Sequence, residues 1–341
     1  MITGLLIAVL LWTPVDGKVA VDSASRPVVL PNPGTTQWTI STNATIWTNS
    51  AYNAFPFMCV WSNMYWVGFR EGSTHVSADG RGRLLSSSDG ETWTDRGEFS
   101  GPDTTRPDVR ELMPYVAMDG ALYVFLRGYD PAEDPKSSRY ILRTEDLATW
   151  TTNATDVTIW QTVRVDSTLY AVGGATNLVS STNGYTWTMQ CALPTNGTPT
   201  SETALWMDGT TINILRRKND EDVPTVSYSR YCDHITVAAP YTSASVSTRI
   251  PYGMAGGPWA TDIGGDVIAV GTRDASDDNS IRPILYSWRD GVMYPELGMT
   301  AFGALGDSGY FSMVWTNSAL KGVYYSDVSG KPCIYWFEVT P

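Results

Sequence analysis

The sequence has almost no helical periodicity. No long segment of the 341-residue chain repeats apolar residues with the 3.6-residue period of an amphipathic helix, so we predict no helix. Aromatic residues are abundant instead, with 14 Trp and 18 Tyr, and 30 Gly and 20 Pro separate short apolar segments. This composition is typical of many short strands joined by turns, and it predicts an all-β protein.

Motifs that bind metals or nucleotides are also missing. The two His and four Cys show no CxxC or Cys/His spacing of a zinc site, and no Walker, dinucleotide or EF-hand pattern occurs. We therefore expect no metal and no cofactor. The cysteines are interpreted as buried thiols. In a closed ring, however, Cys59 near the start and Cys333 near the end would approach each other, so a closing disulfide is an alternative.

Positive charge is scarce. The chain has 23 Lys and Arg against 35 Asp and Glu, a net charge of −12, and a sequence pI near 4.6. Such a protein repels phosphate backbones and anionic membrane surfaces, which excludes nucleic acid as an expected partner. An acidic ligand would need a local cluster of Arg.

The N-terminal segment is apolar but short. Ile2 to Trp12 is too short to span a bilayer, and no Lys or Arg precedes it as in most signal peptides. We expect no stable membrane span. Two interpretations stay open: a secretory signal ending near Ala20, or a retained arm that docks into a larger particle such as a virion. Either places the protein outside cells or on a particle surface. Residues 1–36 form this segment and its extended lead-in, and residues 37–341 the folded domain.

A turn pattern, [Ser/Thr]-x-[Asp/Asn]-x-x-x-Trp, occurs four times, at residues 41–47, 87–93, 144–150 and 181–187. An Asp or Asn side chain accepts hydrogen bonds from backbone N–H groups a few residues on, and the Trp ring folds back over the turn. The pattern therefore predicts four structural turns. Weaker turns of the same kind are predicted near residues 231–233 and 287–291.

A second repeat has an apolar strand, a tight polar turn and another apolar strand. It occurs six times, at residues 57–69, 114–126, 162–172, 204–215, 259–270 and 313–325. One such hairpin and one outer turn make a four-stranded antiparallel blade, so the sequence predicts a six-bladed β-propeller. A seven-bladed ring or a pair of sandwiches would leave repeats unexplained.

Several of these hairpins end in arginine. In a propeller the inner strand ends converge on the axis, which brings together Arg70, Arg127, the pair Arg216-Arg217, and Arg273. Each guanidinium could instead pair with a nearby acid. Several at matching positions, however, favour a site for a carboxylate, whose geometry matches the planar guanidinium fork.

With these strand ends and turns, the chain resembles the sialidase superfamily. The resemblance runs from about residue 55 to the end, and the turn pattern is similar to the Asp box at the outer hairpins of sialidase-like propellers. The other matching segments are Phe69-Arg70 to Gly80, Asp108-Val109-Arg110-Glu111, Ser201-Glu202-Thr203 to Arg216-Arg217, Gly256-Gly257-Pro258 to Arg273, Gly306-Asp307 to Tyr310, and Tyr324-Tyr325-Ser326.

The resemblance implies a glycosidase site. Arg70, Arg216 and Arg273 would hold a substrate carboxylate, with Tyr310 as nucleophile and Glu202 as its partner acid. A neutral Tyr can approach an anionic sugar without charge repulsion. Four residues remain candidates for the acid/base, and three further residues are candidates for substrate binding. The acid/base candidates are Glu71, His75, Asp79 and Asp108, and the further binding candidates are Glu71, Arg110 and Asp307.

Three functions therefore stay open. The first is a glycoside hydrolase acting on an acidic sugar. The second is a non-catalytic propeller that binds glycan or a receptor on a particle or cell surface. The third is a structural virion component without a ligand, because propellers are readily reused as platforms.

Overall fold

The computed structural model describes residues 18–21, 27–30, 38–195, 198–219, 230–250, 254–277, 280–289, 291–299, 308–327 and 330–341. All regular structure in these ranges is β-strand, with no helix, as predicted. The chain divides into two compact units, residues 1–36 and 37–341. In the first unit, β1 (Lys18–Val21) pairs antiparallel with β2 (Pro27–Leu30).

The second unit is a six-bladed propeller of four-stranded antiparallel blades, which confirms the predicted fold class. Its first strand, β3 (Thr39–Trp47), belongs to the last blade. The next twelve strands form blades 1 to 3: β4 (Tyr52–Trp61), β5 (Met64–Gly72), β6 (Arg81–Ser87) and β7 (Thr94–Phe99); β8 (Asp108–Val116), β9 (Leu122–Tyr129), β10 (Ser137–Thr144) and β11 (Thr151–Ala154); β12 (Thr162–Val165), β13 (Thr168–Gly173), β14 (Asn177–Ser181) and β15 (Thr188–Ala192).

Blades 4 to 6 follow the same plan. Their strands are β16 (Thr198–Asp208), β17 (Thr211–Asn219), β18 (Arg230–Ala238) and β19 (Ser245–Ile250); β20 (Met254–Asp262), β21 (Ile268–Asp277), β22 (Ser280–Arg289) and β23 (Val292–Gly298); β24 (Gly309–Thr316), β25 (Ala319–Ser326) and β26 (Cys333–Thr340). The sixth blade is completed by β3, which pairs antiparallel with β26. The two ends of the propeller sequence therefore share one sheet, which closes the ring and leaves no free edge between first and last blades.

The first two strands of each blade form the six predicted hairpins. Their tight turns use left-handed backbone where the sequence supplies Asn, Asp or Gly; Ser62 and Asn63 have φ of 51° and 58°, and Asn317 and Ser318 have 53° and 60°. The first strand of each blade runs from one end of the ring, here called the site end, to the hairpin turn at the other, here called the turn end.

In three of the four predicted outer turns, the Asp or Asn side chain accepts the same two backbone hydrogen bonds. In the turn at 87–93, Asp89 Oδ1 accepts from the N–H groups of Glu91 and Thr92, both at 2.8 Å, and Trp93 Nε1 donates to Gly90 O at 3.1 Å. Asp146 and Asn183 accept in the same way in the second and third blades. Each turn joins the third and fourth strands of its blade.

Two predicted turns are wrong. Residues 41–47 lie inside β3, because pairing with β26 satisfies their backbone groups, and Asn43 there accepts from the Tyr324 hydroxyl at 2.9 Å. Residues 231–233 lie inside β18, which pairs along its length with β17. In both cases pairing with a distant strand overrides a local turn signal.

The alternative of a closing disulfide is also wrong, because Cys59 and Cys333 are not bonded to each other. Closure instead depends on the β26–β3 ladder and on contacts beside it. The Asn53 N–H donates to Pro332 O at 3.2 Å, and Trp47 Nε1 donates to Glu71 at 3.0 Å. Within the described ranges, no helix is long and apolar enough to cross a membrane.

Aromatic side chains pack between the blades around the axis. The ring centroids of Phe57 in blade 1 and Trp160, which precedes blade 3, lie 5.0 Å apart. The ring centroids of Trp160 and Tyr310 of blade 6 lie 5.3 Å apart. At the turn end all six inner strands line an open cavity of about 540 Å³, through Met58, Met113, Thr162, Leu205, Trp259 and Met313 among others. The charged candidate-site residues that the structure describes lie at the other end.

Candidate functional site

The site end is built from β-bulges. Pairing between the first and second strands is interrupted in five blades, in each case toward the end where the first strand begins. A bulge leaves extra residues opposite one partner and turns side chains away from their regular direction. The interruptions lie between Ala54 and Phe57, Val109 and Glu111, Pro199 and Thr203, Gly256 and Trp259, and Gly309 and Ser312.

The bulged residues of different blades contact one another across the axis. The Phe55 ring lies 5.2 Å from the Tyr310 ring, and the Arg110 guanidinium lies 4.9 Å from Phe55. The Tyr310 hydroxyl donates to Glu202 Oε1 at 2.8 Å, and the Gly257 N–H donates to Glu202 Oε2 at 2.6 Å. One bulge from each of five blades thus contributes to a single cluster.

Two guanidinium groups flank the Tyr310–Glu202 pair. Arg217 forms an ion pair with Glu202, and its NH1 also lies 3.5 Å from the Tyr310 hydroxyl. The Arg273 guanidinium lies over the Tyr310 ring, 4.4 Å from its centroid, which is a cation–π geometry. The cluster therefore combines a phenol, a carboxylate and two cations.

The pKa values of the two acids shift in opposite directions. Burial would raise the pKa of Glu202, but Arg217 and Arg273 outweigh it and lower that pKa to about 2. Burial raises the pKa of Tyr310; Arg273 opposes the rise and the Glu202 carboxylate adds to it. At neutral pH the pair is therefore a neutral phenol donating to an ionised carboxylate, which is the state needed for Glu202 to receive the phenolic proton.

Glycines make room for three of these side chains. A Cβ on Gly257 would lie 2.9 Å from Tyr310 Cγ, and one on Gly256 would lie 2.7 Å from Arg217 Cδ. A Cβ on Gly309 would overlap Arg273 Cγ. All three glycines also have φ between 60° and 130°. Both space and backbone conformation therefore require Gly at these positions.

Tyr310 and Phe55 have left-handed backbone, with φ of 51° and 58°. A positive φ is uncommon for a bulky residue and is concentrated at functional sites. Here each belongs to a bulge, and the two rings contact each other. The strained backbone thus places the central phenol of the cluster.

Of the predicted carboxylate clamp, Arg273 lies in the cluster and Arg216 does not. Arg216 is fully buried and its guanidinium donates to Ala175 O at 2.8 Å and to Pro194 O, toward blade 3. The neighbouring Arg217 lies on the other face of the strand and contacts Glu202. Adjacent residues of β17 alternate between its two sides, and the bulge between Pro199 and Thr203 in β16 places Glu202 opposite Arg217.

Arg70 lies in a buried network with a loop, outside the Tyr310 cluster. Its Nε donates to Asp108 Oδ1 at 2.8 Å, and its terminal nitrogens donate to Thr74 O at 2.7 Å and to Ser77 Oγ at 3.0 Å. Asp108 is buried, and its Oδ2 accepts from the Ser77 N–H at 3.3 Å. Arg70 and Asp108 together hold the loop that follows β5.

Asp79 is in the same loop and is exposed. Its Oδ1 accepts from Ser73 N at 3.2 Å and from Ser73 Oγ at 3.0 Å. A hydrogen bond from Ser77, together with those from Ser73, lowers the pKa of Asp79 to about 2. Glu71 lies on the other face of its strand, where it accepts from Trp47, Asn49 and Arg83.

His75 connects this loop to the cluster. Its Nδ1 lies 2.6 Å from the Tyr52 hydroxyl, its Nε2 lies 3.2 Å from Arg110 NH2, and its ring packs edge-on against Phe55 at 5.3 Å. Because Arg110 can only donate, Nε2 is the acceptor, and the Nδ1 proton points to Tyr52. Asp307 lies outside the described residues.

Sequence reasoning brought Tyr310, Glu202 and Arg273 together but missed Arg217, Phe55, Trp160 and Gly257 as members of the cluster. Arg217 had been singled out only as part of a pair. Of the others, only Gly257 had a signal in the sequence, the glycine-rich segment Gly256-Gly257-Pro258.

Comparisons with known proteins rest on structure. No family model matches the chain, and no curated protein matches it by sequence. Among solved structures, a protein of unknown function from Dyadobacter fermentans is similar with a TM-score of 0.73 and 14% identity, over 90% of this chain and 100% of that one.

Two glycosidases are also similar. Trypanosoma rangeli sialidase gives a TM-score of 0.61 and 10% identity over 94% of this chain, which spans 57% of the sialidase. An α-L-arabinofuranosidase from Fusarium graminearum gives 0.64 and 13%, over 88% of this chain and 98% of that one. At these identities the likeness concerns the fold, and the chain has the six-bladed propeller fold of sialidase-like proteins.

Proposed function

We propose that this propeller binds an acidic sugar glycoside at the site end and hydrolyses it. The observation that carries the proposal is the 2.8 Å hydrogen bond from the Tyr310 hydroxyl to Glu202, flanked by Arg217 and Arg273. The sialidase and arabinofuranosidase with similar folds act on glycosides, which supports a carbohydrate as the ligand. An anionic sugar fits two guanidinium groups in a protein that is otherwise acidic.

In the proposed reaction the Tyr310 oxygen attacks the anomeric carbon as the glycosidic bond breaks. Glu202 accepts the phenolic proton, and the departing oxygen takes a proton from a general acid. Water then releases the sugar from Tyr310 and restores the phenol. Arg217 and Arg273 would bind the sugar carboxylate. The charge of Arg217 would also oppose the rise in the Tyr310 pKa, which favours loss of the phenolic proton.

The general acid is the open element of the reaction. Asp79 and Asp108 are engaged by loop N–H and hydroxyl groups and by Arg70, respectively. Of the four candidates, His75 packs against a ring of the cluster, through Phe55. An aryl glycoside with a good leaving group needs little help from an acid, so it tests the nucleophile separately.

The experiment measures hydrolysis of 4-methylumbelliferyl sialoside. Tyr310→Phe and Glu202→Gln should each lower kcat/KM by about a hundredfold or more. Tyr170→Phe is the matched control, because it removes a hydroxyl in blade 3 outside the cluster, and it should leave the rate unchanged. Wild-type protein that binds the sialoside without hydrolysing it would exclude the enzyme. Equal rates in Tyr310→Phe and wild type would exclude this nucleophile.

A second candidate, non-catalytic glycan binding, is favoured by the bonds that engage Asp79 and Asp108. Under this proposal N-acetylneuraminic acid binds with an affinity that falls in Arg217→Gln and Arg273→Gln, and no aryl sialoside is turned over. Assembly into a particle through residues 1–36 and an extracellular location stay predictions. Loss of particle incorporation after removal of the residues before Val28 would support the prediction of assembly into a particle.

A further inference from the structure

A second polar cluster lies at the site end of blade 2. Glu111, Arg127 and Arg139 are direct partners across β8, β9 and β10, so one carboxylate and two guanidinium groups form a row. Arg127 binds Glu111 with two nitrogens, one of them at 2.6 Å from Oε1. The Glu111 carboxylate is therefore already occupied by one of the two cations.

Arg139 is the unbalanced member of this row. Its Nε donates to Thr158 Oγ1 at 2.6 Å, and among the described residues its guanidinium forms no ion pair with a carboxylate. Burial lowers the pKa of Arg139, and the positive charge of Arg127 lowers it further, against the weaker pull of Glu111 and Asp156. Like charges at directly opposite positions of a sheet destabilise it, so the arrangement needs a compensating feature.

Both arginine side chains of the row are partly exposed. The Arg127 side chain is 22% exposed and Arg139 is half-buried, so both side chains are partly desolvated. Ion pairs are stronger there than on an open surface. An oxyanion placed between them would accept from the terminal nitrogens of both and would neutralise the excess charge.

The row is also tied to the candidate site. Glu111 follows Arg110, whose guanidinium packs on Phe55, and Thr158 lies two residues before Trp160, whose ring contacts Tyr310. A ligand held at the Tyr310 cluster and extending outward between blades 2 and 3 would therefore meet this row next.

We infer that Arg127 and Arg139 form a binding site for a second oxyanion, a sulfate or carboxylate group, carried by an acidic glycan. The site is separate from the Tyr310 cluster and does not depend on hydrolysis there. Arg127 holds its orientation through Glu111, while Thr158 orients Arg139, and the two terminal groups receive the anion.

The test titrates the full-length protein with inorganic sulfate at constant ionic strength, maintained with NaCl. Binding is followed through the ¹⁵N–¹H correlations of the arginine Nε groups. We expect saturable shifts of the Arg127 and Arg139 signals, which are assigned from their loss in single variants. Arg139→Gln should weaken sulfate binding about tenfold, because it removes one of two charged donors.

Arg164→Gln is the matched control, since it removes an exposed arginine at the turn end, and sulfate affinity should stay within twofold. An absence of saturable shifts in the wild-type protein would overturn the inference. So would a loss of binding in Arg217→Gln with none in Arg139→Gln, because sulfate would then bind at the Tyr310 cluster. The glycan is tested with a sulfated disaccharide and its unsulfated parent; equal affinity for both would exclude a glycan anion.

These outcomes are independent of the proposed hydrolysis. Tyr310→Phe should abolish turnover while leaving the sulfate-induced shifts of Arg127 and Arg139 unchanged. A protein that binds sulfate at the row without hydrolysing any sialoside would retain this inference and lose the enzymatic proposal.

Discussion

Tyr310 combines several local features that are each uncommon. It is a bulky residue with positive φ, it follows a glycine with φ of 113°, and its ring lies between Arg273 on one side and Phe55 and Trp160 on others. Its hydroxyl is 2.8 Å from a buried carboxylate. A tyrosine with a purely structural role would need none of these features. Their combination therefore favours a chemical role for Tyr310.

The first prediction concerns the space beside that ring. Gly257→Ala should displace Tyr310, because the new methyl group would lie 2.9 Å from Cγ and Cδ1, and because the residue at 257 has φ of 60°. Sialoside affinity or turnover should fall at least about tenfold, with a loss of stability of about 1–2 kcal/mol from the strained backbone. Urea unfolding and activity are measured together. Gly120→Ala, at a turn with φ of 77° and open space, is the control that carries backbone strain alone.

The second prediction separates two adjacent arginines. Arg217→Gln should remove a cation from Glu202 and weaken sugar binding about tenfold or more. Arg216→Gln should instead lower the free energy of unfolding by about 3 kcal/mol, because it breaks buried hydrogen bonds to Ala175 O and Pro194 O and leaves Asp233 with less compensation. Calorimetric titration and urea unfolding distinguish them. A larger loss of sugar affinity in Arg216→Gln than in Arg217→Gln would support Arg216, the residue predicted from the sequence, as the arginine that binds the carboxylate.

At the scale of elements, the bulges at the start of the inner strands matter most for function. With regular pairing, alternate side chains would lie on the two faces of each blade, in the spaces between neighbouring blades. The bulges turn Phe55, Arg110, Glu202 and Tyr310 toward one another instead. The outer turns have a different task, since they hold the third and fourth strands of a blade together, away from the cluster.

The third prediction tests the outer turn of blade 1. Asp89→Ala should lower the melting temperature, because the N–H groups of Glu91 and Thr92 lose their common acceptor. Asp89→Asn should retain most of the wild-type value, since Asn183 makes the same two bonds in blade 3. Sialoside binding should not change in either variant. Equal melting temperatures for Asp89→Ala and wild type would contradict a stabilising role.

At the scale of the whole molecule, one strand closes the ring. β3 completes blade 6 by pairing with β26, so the first and last parts of the propeller sequence hold each other in place. Buried aromatic side chains of blades 1, 2, 5 and 6, together with Trp160 before blade 3, share one core cluster. A ring of this kind depends on closure, because any open blade would expose an apolar face and an unpaired edge.

The fourth prediction concerns that closure. Removing residues 1–36 should leave a folded propeller, whereas removing residues 1–47 should leave β26 without its partner and expose its edge. The second protein should aggregate or show a melting temperature far below that of the first, measured by calorimetry and light scattering. Equal stability of both proteins would mean that β3 is dispensable.

The fifth prediction concerns acid stability. Burial lowers the pKa of His234 to about 4, and its ring packs between Trp206 and Trp288. The unfolded chain binds this proton more tightly, so the free energy of unfolding should fall as the pH drops from about 6.5 to 4, by up to about 3 kcal/mol. His234→Gln should flatten this slope.

A separate loss of stability should appear at lower pH. The pKa values of Asp79 and Asp103 are both lowered to about 2, by hydrogen bonds from Ser77 and from Thr105, respectively. These carboxylates stabilise the fold above their unfolded pKa near 4 and lose that contribution as the pH falls toward 2. Urea unfolding at a series of pH values distinguishes the loss of stability due to His234 from the loss at lower pH due to Asp79 and Asp103.

Local patterns in the sequence determined the architecture of this protein. Six hairpins and three of the four turns follow from apolar alternation and from Asn, Asp and Gly placed where left-handed backbone or side-chain acceptors are needed, which act over a few residues. The position of Arg273 at a hairpin end follows from the same patterns, whereas Tyr310 and Glu202 were selected only by the resemblance to the sialidase superfamily.

Tertiary structure alone decided which side chains meet. Residues 41–47 became a closing strand because β26, almost 300 residues later, pairs with them. Arg217 rather than Arg216 meets Glu202 because the bulge in β16 places Glu202 opposite Arg217, and Arg70 contacts Asp108 and the following loop. Such choices depend on long-range pairing and on the space between blades, and neither is encoded in the spacing of residues within one segment.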